Sequence, residues 1–300
     1  MIKMTMLNKS LVIFANFRID NKERYLRMQD SFFSFKGISA EKWVINIRGS
    51  YKEQTKNFLQ EHLQDKFHHY DLESKKGWFH DTRAMLKDID TDFVFFWIED
   101  HVSMVKVSKY DEILDEMKEN QCEHLCYTWW HDGYKKKFSF LEPKETSNLK
   151  IYQMNKENVK IMKKNINEEF YTISVVSITS SKLFKKIISS SHPLLKRWPK
   201  NTPFDFEKKD TDVNFLGFNS AVSKFELFTS IDDNHSGGAR YSLIDRGLYP
   251  NRMSRDEIQN SEFIIKKNQF LLIKKFLPKP ILKLLTVVYI FFKRIGYSIN

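Results

Sequence analysis

Asp92-Phe93-Val94-Phe95-Phe96-Trp97-Ile98-Glu99-Asp100-His101 contains an unbroken run of six apolar residues that ends in two carboxylates and an imidazole. Its aromatic and β-branched members, and a length too short for a helix, predict a strand buried on both faces in the middle of a parallel sheet. In open α/β sheets ligands collect outside the carboxyl ends of the strands, so Glu99, Asp100 and His101 fall where a ligand is expected. Carboxylates beside an imidazole suit a divalent cation, the imidazole favouring manganese-like ions over magnesium. The competing reading of the triplet is a strand end meeting solvent, where acids and His are ordinary.

On the N-terminal side, Leu11 to Ala15 predicts a first strand and Glu23 to Phe35 a helix stopped by Gly37. Trp43 to Ile47 predicts a second strand, Gln54 to Gln64 a second helix, Lys66 to Asp71 a short third strand, and Gly77 the opening of a helix with Trp78, Met85, Leu86 and Ile89 on one side. On the C-terminal side a helix is expected at Tyr110 to Asn120, a strand at His124 to Trp129, an exposed excursion over Asp132 to Lys150, a strand at Ile173 to Ile178 and a helix at Ser181 to Ile188. Beyond His192-Pro193 the chain reads as irregular and motif-like. Strands alternating with helices at this spacing predict βαβ units, hence an α/β fold with a mostly parallel sheet flanked by helices. No glycine-rich dinucleotide fingerprint or Walker loop follows the first strand, which argues against both of those folds.

Three hundred residues, 41% hydrophobic and 15% aromatic, are ample for a ring-rich core. The net charge of +11 is unevenly spread: from Glu262 to Asn300 eight basic side chains face Glu262 alone. A basic tail with its own partner fits this pattern better than a nucleic-acid-binding face. Cys122 and Cys126 make no disulfide framework and predict a reduced, cytosolic setting, with a buried thiol favoured over a zinc site. Met1 to Lys9 is polar and lacks the apolar region of a signal peptide.

With these elements in order, the first 130 residues resemble the GT-A nucleotide-sugar glycosyltransferases. The resemblance is carried by Asn16-Phe17-Arg18 after the first strand, Gln29-Asp30-Ser31-Phe32 on the first helix, Asn46-Ile47-Arg48-Gly49-Ser50 after the second strand, Gly77 with Asp81-Thr82-Arg83, and Glu99-Asp100-His101 at the place of the Asp-X-Asp metal motif. Glu and His replace the two aspartates there, which leaves open whether Asp100 or His101 ligates the metal. The resemblance implies a GT-A (Rossmann-like) catalytic domain over residues 1–260, with a nucleotide-binding half at 1–130 and an acceptor-side half at 131–260. It implies an inverting, family-two-like enzyme that uses Mn2+ or Mg2+ to move a sugar from a nucleotide-diphosphate donor to a glycan or lipid-linked acceptor. Asn16, Arg18, Asn46, Arg48, Asp81, Arg83 and Glu99 would serve the nucleotide-sugar, and Asp100 or His101 the metal.

Loss of a nucleoside diphosphate develops negative charge that a carboxylate-held cation stabilises. An inverting transfer needs a general base; Glu207, with Asp205 second, is the candidate, because the Pro-flanked aromatic segment around them would desolvate a carboxylate. Asp232-Asp233-Asn234-His235 before Ser236-Gly237-Gly238 reads either as a turn or as a late site, with His235 on the metal or diphosphate and Arg240 and Arg246 on phosphate. Residues 261–300 predict an amphipathic helical tail. Leu284 to Phe292, its longest uncharged apolar run, is less than half of what spans a bilayer. Lys283, Lys293 and Arg294 beside that run suit a helix lying on anionic lipid, and hence a cytoplasmic protein peripheral at the inner face of the cell membrane. Two other classes compete: a metal-dependent nucleotidyltransferase or phosphohydrolase, with Asp232, Asp233 and His235 as a second ligand cluster, and a non-enzymatic membrane-surface protein.

Overall fold

A computed structural model describes residues 11–125, 138–165, 176–189, 217–232 and 242–250. The first half follows the expected alternation. β1 (Leu11–Arg18), α1 (Lys22–Phe35), β2 (Lys42–Arg48), α2 (Lys52–Leu63), β3 (Phe67–Tyr70), α3 (Trp78–Met85) and β4 (Phe93–Phe96) succeed one another. β1 lies between β2 and β4, with β3 outside β2, and all three pairings are parallel. β4, the strand on which the sequence reading turned, is buried along its whole length. Phe93 and Phe95 enter one core layer with Leu11, Ile13 and Ala15, beneath α1, α2 and α4 (Ser108–Glu119). Val94 and Phe96 enter the other with Val12 and Phe14, beneath α3 and α6 (Ser181–Ser189). Alternation along a strand sends successive side chains to opposite faces, so a strand covered on both sides reads as unbroken apolar sequence.

Past β4 the sheet becomes mixed. β9 (Ser177–Ser180) runs antiparallel to β4 and to β6 (His124–Leu125), and β10 (Phe218–Ser223) then pairs parallel with β6 and antiparallel with β8 (Leu149–Met154). β7 (Lys144–Glu145) closes that edge, giving the order β3-β2-β1-β4-β9-β6-β10-β8-β7. A separate two-stranded ribbon joins β5 (His101–Ser103) to β11 (Phe228–Ser230). α5 (Lys156–Asn165) follows β8. The architecture is the expected α/β layering, a sheet with its core layers and helices on both faces.

Several boundaries differ from expectation. Where it is described, the stretch expected as an exposed excursion over Asp132 to Lys150 has no buried residue from Ser139 to Ser147, but it is anchored at both ends and carries structure: Phe138 is buried and stacks on Tyr152, Asn148 is buried, and the exposed Lys144–Glu145 is an edge strand. A two-residue charged edge strand has no apolar alternation to betray it, and charge is how natural sheets blunt an edge. Of the strand expected at Ile173 to Ile178, residues 173–175 lie outside the described residues; the described strand, in the polar sequence Ser177-Ile178-Thr179-Ser180, ends two residues later than expected, and β10 and β11 occupy part of the region read as irregular. Gly37 follows α1 as expected, for a packing reason: a Cβ there would sit 3.0 Å from Val107 Cγ2. The tail, residues 261–300, lies outside the described residues. Among those described, no helix is long and apolar enough to cross a membrane.

Gly49 makes the turn that the site depends on. Its φ is +99°, and a Cβ would lie 2.3 Å from the Ile19 carbonyl oxygen, which accepts a hydrogen bond from Tyr51 N. Gly49→Ala is therefore expected to cost more than about 1 kcal/mol, the amount at stake when alanine is placed at positive φ without any clash. A fall in Tm of at least about 2–4 °C is the corresponding readout; an unchanged Tm would show that the turn relaxes freely.

Candidate functional site

Two polar assemblies lie at the carboxyl edge of the parallel strands. In the first, the loop between β3 and α3 is tied down by amides at the ends of β1 and β2. Asn46 donates to Asn16 Oδ1 (3.0 Å) and to the Leu72 carbonyl (2.9 Å), and accepts from Leu72 N (2.7 Å). Asn16 donates to Thr82 Oγ1 (2.9 Å), and its own carbonyl accepts from Trp78 Nε1 (2.9 Å). Asp81 accepts from Ser74 N at 3.1 and 3.3 Å. Asn46 and Asp81 are buried with these atoms engaged, so both act here as braces that fix the loop over the strand ends.

Arg18, Arg48 and Arg83 have separate environments. Arg18 is exposed and paired with Asp20 (3.0 Å) and Glu73 (2.5 Å). Arg48 is half-buried; its Nε has no hydrogen-bond partner among the described residues, and burial lowers its pKa against the opposing charge of Asp81. Arg83 is turned to the end of α6, where its Nε donates to the Ile188 carbonyl (2.7 Å). Arg246 pairs with Glu226 at 2.5 and 3.1 Å. Glu207, Asp205, His235 and Arg240 lie outside the described residues.

The second assembly is the acidic strand end. β4 stops at Phe96, Trp97 to Asp100 turn, and β5 begins at His101. His101 Nδ1 lies 2.7 Å from Asp100 Oδ1, and pairing of His101 with Ser230 in the ribbon carries Asp232 to the same place. The Asp100 carbonyl accepts from Ile231 N at 2.7 Å, which fixes the two chain segments side by side. Arg27 holds Asp232 through Nη1 and Glu23 through Nε (2.9 Å), while Arg24 Nη1 is 3.8 Å from Glu99. Ser31 Oγ donates to the His101 carbonyl and accepts from Trp97 Nε1 (2.8 Å), and Ser34 Oγ accepts from Ser103 N (3.0 Å), fastening α1 to β5.

Electrostatics follow from that crowding. Burial and the neighbouring Asp100 push the Glu99 carboxyl up to about 7. Burial alone would also raise Asp100, but His101, hydrogen-bonded to it, and Arg24 and Arg27 hold it below its ordinary value. Asp232 is raised, by burial first and then by the charge of Asp100, in spite of Arg27. Among the described residues no three His, Cys, Asp or Glu side chains are arranged to hold a metal ion. The Asp100 side chain is 33% exposed and that of Asp232 31%, whereas the His101 side chain is buried and hydrogen-bonded to Asp100.

Sequence reasoning found the triplet but missed Arg24 and Arg27, and assigned Asp232 only to a competing reading. A signal was present: Glu23, Arg27, Ser31 and Ser34 follow i, i+4, i+8, i+11, one helical face, and the first three are buried. A buried polar stripe beside an apolar one marks a helix that covers polar neighbours.

No protein-family model matches this chain, and no curated protein matches it. Among solved structures, S. aureus TarS 1–349 aligns with a TM-score of 0.47 at 16% identity over 74% of this chain and 60% of that one. The same fragment in complex with UDP-GlcNAc gives 0.43 at 12% over 85% and 67%. UDP-glucose pyrophosphorylase complexed with UDP-glucose gives 0.39 at 11% over 72% and 91%. At such scores and identities these likenesses carry no argument about activity, and this chain spans about three-fifths of the TarS fragment.

Proposed function

We propose that this chain is a glycosyltransferase that binds a nucleotide-diphosphate sugar at the carboxyl edge of β1, β2 and β4. The observation that carries the reading is the convergence of Asp100 and Asp232, from two distant segments, beside a braced loop at the place where open α/β sheets bind ligands. A divalent cation fits the donor set. Glu23, Glu99, Asp100 and Asp232 surround Arg24 and Arg27, four carboxyl groups to two guanidinium groups, and a cation there would offset the burial and mutual repulsion that raise Glu99 and Asp232. Magnesium-type sites use one or two carboxylates and complete their shell with water and substrate phosphate, so three protein ligands are not required. Asp100 and Asp232 would hold the ion, His101 would orient Asp100, and His235 is the further ligand proposed from the sequence. Bound there, the cation would act as a Lewis acid on the departing diphosphate.

Glu207, with Asp205 second, is the proposed base for a glycan or lipid-linked acceptor, Arg240 the proposed phosphate contact, and residues 261–300 the proposed attachment to anionic membrane. The convergence of Asp100 with Asp232 also suits a nucleotidyltransferase or phosphohydrolase, and the products separate the readings. Incubation with nucleotide-sugars and manganese is expected to release nucleoside diphosphate, and the thermal unfolding temperature is expected to rise with nucleoside diphosphate plus manganese. Release of nucleoside monophosphate would favour the phosphohydrolase, release of nucleoside triphosphate on addition of pyrophosphate the nucleotidyltransferase, and absence of any nucleotide-induced shift would overturn all of these readings.

A further inference from the structure

Arg24 and Arg27 stand one turn apart on α1, and both act on Asp100 and Asp232, yet they differ in what they can do. Arg27 is buried and committed to Glu23 and Asp232; its Nη2 alone has no hydrogen-bond partner among the described residues. The Arg24 side chain is 53% exposed, and its guanidinium contacts are weak: 3.3 Å to the Arg18 carbonyl and 3.8 Å to Glu99. Exchange of these for a phosphate oxygen therefore loses little, whereas freeing Arg27 would strand the buried carboxylate of Glu23 and the partly buried one of Asp232.

We propose that Arg24 contacts the diphosphate of the donor, and that Arg27, through its hold on Asp232 and Glu23, fixes the carboxylates against which Arg24 and the ligand are set. The inference rests on the proposed function and adds to it a residue outside the strand ends. A diphosphate approaching this site meets an excess of carboxylates, so its binding needs fixed positive charge in addition to a cation. Arg24 supplies it at the solvent side of the cluster, in a planar fork that matches phosphate oxygens.

The experiment is calorimetry on the full chain with manganese present, using the four common nucleoside diphosphates and the matching monophosphates. Arg24→Ala is expected to weaken diphosphate binding at least about tenfold, the scale of a lost charge-assisted hydrogen bond, and monophosphate binding by less than about threefold. Arg24→Lys is expected to recover part of the loss, keeping the charge without the fork. Unchanged diphosphate affinity in Arg24→Ala would overturn the inference, and so would an equal loss for both ligand classes, which is the mark of a merely structural role. A wild-type chain that binds none of the diphosphates would instead overturn the proposed function itself.

Discussion

Asp100→Ala is expected to abolish manganese-enhanced nucleotide binding and to lower sugar transfer by about 10²-fold or more, the scale of several kcal/mol of lost charge stabilisation. Asp100 is the least buried of the triplet's polar side chains, with its carboxyl held below the ordinary range and facing Asp232. The substitution leaves the backbone in place, because the contact that ties the two segments together is made by the Asp100 carbonyl with Ile231 N. Stability is expected to fall by about 1–3 kcal/mol, because the buried His101 Nδ1 loses its Asp100 partner, while relief of the repulsion that Asp100 exerts on Glu99 and Asp232 offsets part of that loss. Asp100→Asn separates charge from hydrogen bonding: it keeps an oxygen for His101 Nδ1 but carries no charge, so it should fail almost as completely. Calorimetry of nucleoside diphosphate with and without manganese decides the matter. Wild-type affinity in either variant would remove Asp100 from the site.

What the sequence disclosed divides along the chain for physical reasons. β1, β2 and β4 were legible because they are covered on both faces, and continuous apolar sequence is the consequence of that burial. The brace formed by Asn16 and Asn46 was legible only as position: that the amides lie at strand ends could be read, but that they spend their hydrogen bonds on Thr82 and Leu72 is a tertiary fact. The partnership of Asp100 with Asp232 was not legible, since it depends on the short ribbon in which three residues, Phe228 to Ser230, pair with β5. Strands of three or four residues with serine and threonine, such as β9, give no periodicity long enough to detect. Arg27 was legible only through the polar face that it shares with Glu23 and Ser31 on α1; that this face is buried against Asp232 is again a tertiary fact.

Phe95→Ala is expected to be the most damaging single substitution for the fold, costing about 3–5 kcal/mol. Phe95 is fully buried in β4, and its ring lies 5.1 Å from Phe35, 6.0 Å from Tyr110 and 6.1 Å from Phe228, between centroids. Those three rings come from α1, α4 and β11, so one side chain joins the strand to both helices above it and to the ribbon that carries Asp232. Truncation leaves a cavity that none of the three can fill without moving the others, because interiors are close-packed and collapse only partly. The expected fall in Tm is more than about 6 °C, taking 2–4 °C per kcal/mol for a domain of this size. Phe33→Ala provides the contrast: that ring is 54% exposed on the outer side of α1, and its loss is expected to cost less than about 1 kcal/mol. Denaturant unfolding of the two variants beside the wild type tests the claim. Equal destabilisation by both would mean that β4 is not the element on which the core depends, and that Asp100 and Asp232 are brought together by other contacts.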